Sequence, residues 1–236
     1  MTDEAIILVG GLGTRLRGVV DDVPKPLALV QGRPFLAWLL DQLAEQGLRR
    51  VVLAAGYKAE IVRASVGDHW RGMAVDYMIE AQPLGTGGAI ANAVASIEGD
   101  SAFVLNGDTY VRLAYGEFAA SIDGSGCMLG IALAQVADVS RYGAVATADG
   151  RVTALSEKGA SGAGYINAGV YWLRTRLIRQ IGGAGRAFSF EHDVLQPEAA
   201  AGRVGAFLGT ASFIDIGLPS DYQRAQSWLF SGHEGR

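Results

Sequence analysis

Short apolar runs alternate with stretches of helical spacing through the first half of the chain. Ala5 to Val9, Val51 to Ala55, Val75 to Ile79 and Ala102 to Leu105 read as buried strands, each bounded by glycine or polar residues. Pro34 can open a helix at its first turn, and Phe35, Leu36, Leu39, Leu40 and Leu43 then share one face until Gly47 closes it. Ile61, Val62 and Val66 predict a second helix, and Ile90, Val94 and Ile97 a third, beginning after the pair Gly87-Gly88. Strand and helix in alternation imply an α/β fold with a mostly parallel sheet covered by helices on both faces.

The second half is less regular. Cys127 to Ala134 reads as a long strand, and Ala144 to Thr147 with Val152 to Ser156 as a hairpin turned at Asp149-Gly150. Ile166 to Leu173 gives a further strand, followed by helices near Leu177 and from Glu191 to Ala201. The last helix runs from Pro219 or Ser220 to about Trp228. There is no repeat, and no hexapeptide pattern that would append a β-helix.

Composition bounds the function. At 236 residues, half of them hydrophobic, the chain can bury a full core, and nothing divides it into two hydrophobic units, so one domain is expected. A net charge of -4 without any Lys/Arg run argues against wrapping nucleic acid or lying on an anionic membrane. Cys127 is the single cysteine, which excludes an intrachain disulfide and fits a reducing cytoplasm. The start Met1-Thr2-Asp3-Glu4 lacks the basic, long apolar character of a signal peptide. His69, His192 and His233 are scattered and form no set spaced for a metal.

The first strand runs into Gly10-Gly11-Leu12-Gly13-Thr14-Arg15-Leu16. Glycines let the backbone approach phosphates, and free N–H groups receive their oxygens. A dinucleotide fingerprint would need glycine at Leu16, and a Walker A loop would need Gly-Lys-Ser/Thr where Gly13-Thr14-Arg15 stands. What remains is a glycine turn ending in an arginine fork suited to the β- and γ-phosphates of a triphosphate. Read alone, it equals an ordinary βα turn with a solvated arginine. Pro24-Lys25-Pro26 follows, and its prolines are expected to hold Lys25 on a stiff, extended segment.

The glycine loop followed by Pro24-Lys25-Pro26-Leu27 resembles the signature of the sugar-phosphate nucleotidyltransferases, over Ala5 to about Leu229. The resemblance implies a Rossmann-like nucleotide-diphospho-sugar transferase fold with an inserted sugar-binding β region. About 1–126 would bind nucleotide, about 127–218 the sugar and a second metal aspartate, and about 219–236 form a C-terminal helix and tail. It places Gly10, Gly11, Gly13, Thr14 and Arg15 at the triphosphate and Lys25 at the α-phosphate. Independently of the family, the glycine loop, Gly56-Tyr57, Glu80 to Gly88 and Asn106-Gly107-Asp108 each follow a strand, so all four should face one crevice.

Asp108 and Asp215 sit among apolar residues, where a carboxylate needs compensation; singly, each reads better as a turn or helix cap. The resemblance makes the pair a magnesium site, a cation held by one or two carboxylates together with substrate phosphates. It likewise assigns Glu157 to sugar hydroxyls, Lys158 to the sugar phosphate, and Gly143 and Asn167 to the sugar site. In Glu80-Ala81-Gln82-Pro83-Leu84-Gly85-Thr86-Gly87-Gly88 it gives base recognition to Gln82 and the Gly87 backbone; a guanine acceptor could come from Glu80, Gln82 or loop carbonyls. Uracil and thymine stay open at this point.

These parts imply in-line attack by a sugar 1-phosphate oxygen on the α-phosphorus, with loss of pyrophosphate. Arg15 and magnesium would offset leaving-group charge, while Lys25 and Lys158 hold the two phosphates together. The combined runs Arg15-Leu16-Arg17, Val20 to Pro26, Arg141-Tyr142-Gly143 and Phe188-Ser189-Phe190-Glu191 are most similar to members that join GTP to a manno-configured heptose 1-phosphate. Mannose, glucose or N-acetylmuramate 1-phosphate are the alternative acceptors. A non-catalytic, nucleotide-sensing relative is the alternative of another class, though it would be expected to lose the lysine or an aspartate. A monomer or a small homo-oligomer is expected.

Overall fold

The computed structural model describes residues 2–11, 23–56, 58–156 and 160–228. Its spine is a parallel array in which β1 (Glu4–Leu8) lies between β4 (Arg50–Ala55) and β7 (Ser101–Asn106), and β4 pairs onward with β6 (Met73–Ile79). The short β2 (Leu29–Val30) and β3 (Arg33–Pro34) form a separate antiparallel pair ahead of the first helix. Alternate side chains of a strand serve opposite faces. Ile7, Leu53 and Leu105 join the core beneath α1 (Phe35–Glu45) and α2 (Ala59–Val66), while Ile6, Val52 and Val104 join the core beneath α3 (Gly85–Val94). The apolar stripe of α1, Phe35, Leu36, Leu39, Leu40 and Leu43, is no more than 1% exposed. Each such side chain contributes about 1.5–3 kcal/mol on burial.

Two expectations for this half need correction. β6 is not a buried strand throughout: only the two-residue β5 (His69–Trp70) lies outside it, and Ile79 is 57% exposed. The third helix begins at Gly85, ahead of the glycine pair. A Cβ on Gly87 would lie 2.3 Å from the Phe188 ring, and one on Gly88 2.4 Å from the Arg186 carbonyl oxygen. Close packing against residues 186–188 therefore outweighs the helix cost of two glycines, about 1 kcal/mol each.

The remaining strands widen the array into a mixed sheet of ten. β12 (Gly164–Arg174) runs antiparallel between β7 and β9 (Leu129–Val136), and β13 (Val204–Phe207) adds parallel to β9. The hairpin of β10 (Val145–Ala148) and β11 (Arg151–Leu155) turns as expected, with positive φ at Asp149 (49°) and Gly150 (71°), the geometry that matches strand twist. The helix expected over 191–201 is split into a π-helical turn, Glu191–Leu195, and α6 (Gln196–Ala200); Pro197 offers no N–H to the preceding turn. Beyond the expectations, β8 (Thr109–Leu113) is followed by α4 (Tyr115–Gly124), and β14 (Thr210–Asp215) pairs with β8 away from the main sheet. α5 (Thr175–Ile181) and α7 (Pro219–Trp228) lie where helices were expected. Among the described residues no helix is long and apolar enough to cross a membrane.

Candidate active site

The carboxyl ends of β1, β4 and β6 open on a cleft of about 510 Å³, lined by Leu8, Gly10, Gly56, Glu80, Gln82 and Thr86 among others. Three of the four strand ends expected at one crevice, those of β1, β4 and β6, thus line it, whereas Asn106, Gly107 and Asp108 after β7 are not among its lining residues. Gly10 is small for a structural reason, since a Cβ there would stand 3.2 Å from the Gly56 nitrogen; Gly11 has open space around it. Gln82 is exposed at the cleft, while Glu80 is partly buried and accepts the Leu84 N–H at 3.2 Å. Burial pushes the Glu80 carboxyl above its usual range, against the opposing pull of that N–H. Gly87 stands apart from the lining residues, with its N–H donated to the Phe188 carbonyl at 3.0 Å. The loop glycine that does line the cleft is Gly85.

Beside the cleft is a cluster of one ammonium and two carboxylates. Lys25 Nζ lies 2.5 Å from Asp108 Oδ2 and 4.0 Å from Asp215 Oδ1. Lys25 does not sit on an extended segment: it opens a 3-10 turn, Lys25–Leu27, closed by Leu27 N–H to Pro24 O at 2.8 Å. Pro24 supplies the stiff extended residue just before it, and Pro26 loses nothing by lacking an N–H so early in the turn. Asp108 follows β7, where the Gly107 N–H reaches Leu8 O at 3.0 Å and a Cβ would meet that oxygen at 2.6 Å. Asp215 ends β14, whose register sets it opposite Thr109. One ammonium against two carboxylates leaves a residual negative charge. Accordingly burial first, and Asp108 second, raise the Asp215 carboxyl above its usual range, partly offset by Lys25 and the Gly217 N–H.

Of the residues expected at the sugar, Asn167 lies on β12 and Gly143 in the loop before β10. Gly143 is buried with φ 87°, and its N–H is donated to Val139 O. Asn167 Nδ2 donates to the Tyr171 hydroxyl at 2.7 Å, and its Oδ1 accepts the Gly169 N–H at 2.9 Å. Arg141 pairs with the buried Asp221 of α7, and the Tyr142 ring meets Phe213 edge-on at 5.5 Å. These contacts tie the 141–143 loop to the strand that carries Asp215. Gly13, Thr14, Arg15, Glu157 and Lys158 lie outside the described residues, as do Tyr57 and His233. His69 and His192 are exposed or nearly so, and among the described residues there is no group of three or more metal-ligating side chains.

Sequence reasoning passed over Gly217, although it stands two residues after Asp215. A Cβ there would lie 2.8 Å from Asp215 Oδ1 and 3.2 Å from Lys25 Nζ. Its absence of a side chain lets the cluster close. The signal was present: a glycine two residues beyond an apolar strand end that carries a carboxylate.

A sheet with a glycine-lined cleft at the carboxyl ends of β1, β4 and β6, and a lysine with two aspartates clustered where Gly107 meets Leu8, is an α/β architecture of the kind that takes ligands at its strand ends. The Nucleotidyl transferase family matches residues 4–231, and the chain belongs to that family. It is 40% identical over 226 residues to a D-glycero-alpha-D-manno-heptose 1-phosphate guanylyltransferase of Aneurinibacillus thermoaerophilus, covering 96% of this chain and 98% of the relative. A second protein of that name, from Campylobacter jejuni, is 37% identical, with coverage of 93% and 96%. Among solved structures, HddC from Yersinia pseudotuberculosis complexed with GMP-PN superposes with a TM-score of 0.84 at 42% identity, covering 95% of this chain and 98% of that one.

Proposed function

We propose that this enzyme transfers GMP from GTP to D-glycero-α-D-manno-heptose 1-phosphate, forming GDP-heptose and pyrophosphate. The observation that carries this is near-full-length similarity to heptose 1-phosphate guanylyltransferases, joined to a cleft that offers the Glu80 carboxylate. Guanine presents N1–H and N2–H as donors, which a carboxylate accepts better than it would the mixed edge of uracil or thymine. Gln82 at the cleft mouth can take part from its exposed position.

The Lys25, Asp108 and Asp215 cluster fits a divalent cation, because two hard carboxylates with residual negative charge stand beside the crevice. Asp108 and Asp215 would hold magnesium, which supplies positive charge to the triphosphate when bound. Lys25 then stabilises the α-phosphate as charge builds there, and Arg15 in the glycine loop with Gly10, Gly11, Gly13 and Thr14 holds the β- and γ-phosphates. Lys158 anchors the sugar phosphate, and Glu157, Asn167 and Gly143 orient the sugar. The attacking phosphate oxygen is already deprotonated, so no side-chain base is needed. The cytoplasm, where sugar phosphates and GTP are available, is the expected compartment.

The test is a matrix of GTP, UTP and dTTP against heptose, mannose and glucose 1-phosphates with magnesium, read as pyrophosphate release. Release should need the sugar phosphate and stop with chelator. GTP with the heptose should lead, by more than about tenfold in kcat/KM over mannose 1-phosphate. Preference for UTP overturns the base assignment, equal use of mannose 1-phosphate overturns the sugar, and silence across the matrix favours a non-catalytic sensor.

A further inference from the structure

The motif Phe188-Ser189-Phe190-Glu191 has no part in the chemistry above, yet it meets the base loop through a dense set of polar contacts. Thr86, which lines the cleft, donates its hydroxyl to Glu191 Oε2 at 2.7 Å and accepts the Phe190 N–H at 2.9 Å. Phe188 N–H donates to Leu84 O, and Gly87 N–H to Phe188 O, each at 3.0 Å. Ser189 adds its hydroxyl to the same Glu191 oxygen at 3.2 Å. Residues 186–188 occupy the space that side chains at Gly85, Gly87 and Gly88 would need, Gly85 having a φ of 68° with a Cβ position 2.6 Å from Phe188 O. A loop joining β6 to α3 has little of its own to hold it; here a second segment, arriving about a hundred residues later, fixes it through paired backbone bonds and one charged acceptor.

We propose that Glu191, acting through Thr86 with Phe188 seated on the glycine face of α3, positions the base-side wall of the cleft and so sets nucleotide affinity. Glu191 is a positioning residue in this scheme and touches no substrate. A hydroxyl that both donates to a carboxylate and accepts an N–H has one rotamer that satisfies both, so Thr86 is held where it lines the cleft. The π-helical turn beginning at Glu191 aims the carboxylate back across Ser189 towards the loop.

The inference rests on the reading that this cleft holds the nucleoside. Its test compares Glu191→Ala and Thr86→Val with the conservative Glu191→Gln and Thr86→Ser, using the triphosphate the unaltered enzyme prefers. Glu191→Ala should raise the triphosphate KM about tenfold, the scale of one lost hydrogen bond to a charged group. The sugar-phosphate KM should stay within about twofold, Thr86→Ser should restore near-normal KM, and the Thr86→Val/Glu191→Ala double variant should be no worse than the more impaired single. Amide hydrogen exchange should quicken in peptides spanning 80–90 and stay unchanged in β1 and β4. An unchanged triphosphate KM with unchanged loop exchange overturns the proposal, as does an equal rise in both KM values with faster exchange throughout the core. Should the unaltered protein use no triphosphate at all, the functional reading fails, and exchange in the 80–90 loop still decides the positioning claim.

Discussion

The cleft and the charged cluster beside it are built on opposite principles. At the cluster, the proposed phosphate end, Lys25, Asp108 and Asp215 are brought together by backbone approaches so close that Gly107 and Gly217 have no room for a side chain, and the cluster carries uncompensated charge. In the cleft, the proposed base end, Glu80 is a single partly buried carboxylate in a wall of Leu8, Ala54, Pro83 and Ala89, and the loop that carries it is held from behind by Phe188 and Glu191. Under the proposed function the cluster would concentrate electrostatics where charge develops in the transition state, and the cleft would offer a surface for a flat, weakly charged ring. The phosphate end should therefore govern turnover, and the base end binding and selectivity.

Lys25→Ala strikes the phosphate end directly and should have the largest effect. Turnover should fall about tenfold to a thousandfold, as when one positioned electrostatic group is removed, while the triphosphate KM changes far less. A variant with normal kcat and a raised KM would reverse the division between the ends. Gly217→Ala leaves every charged group in place but adds a methyl 2.8 Å from Asp215 Oδ1 and 3.2 Å from Lys25 Nζ. Turnover should drop about tenfold through displaced charges alone, the order expected from small misplacements of catalytic groups. Steady-state kinetics together with a far-ultraviolet spectrum check it, and full activity would show that the cluster tolerates loosening.

The same contrast separates what local sequence encodes from what only the folded chain assembles. The parallel half is written in local periodicity: the stripe of α1 and the runs of β1, β4 and β7 carry their own signal, and the strand-end rule then places Gly10, Gly56 and Glu80 at one crevice. Asp215 reaches Lys25 and Asp108 only because β14 pairs with β8, a contact between residues about a hundred positions apart that no local pattern encodes. The elements over 109–124 were legible in principle, since Tyr115, Phe118 and Ile122 recur at helical spacing and all are buried. The glycines of α3 misled because their reason lies in the distant segment 186–188, and Lys25 because a turn won over the pre-proline preference for extended backbone.

The last expected effect, on binding and not on turnover, concerns Glu80→Gln, which sharpens the comparison from the base end. The amide oxygen can still accept the Leu84 N–H, but it is a weaker partner for guanine donors, so the KM for GTP should rise by about tenfold with kcat little altered. Stability should move the other way. Burial raises the Glu80 carboxyl above its ordinary value of 4.5, so the folded state holds its proton more tightly than the unfolded chain. That stabilising contribution is fully present below 4.5 and is lost as pH rises through the raised folded value. Glutamine imitates the protonated form at every pH. Glu80→Gln should therefore melt higher than the unaltered protein at about pH 7 to 8, and the gap should close as pH falls towards 4.5. Thermal melts of both proteins across that range, without nucleotide, measure it; a gap that persists unchanged at low pH would mean the gain comes from packing, and a lower Tm at neutral pH would mean the ionised carboxylate is held by contacts that outweigh its burial.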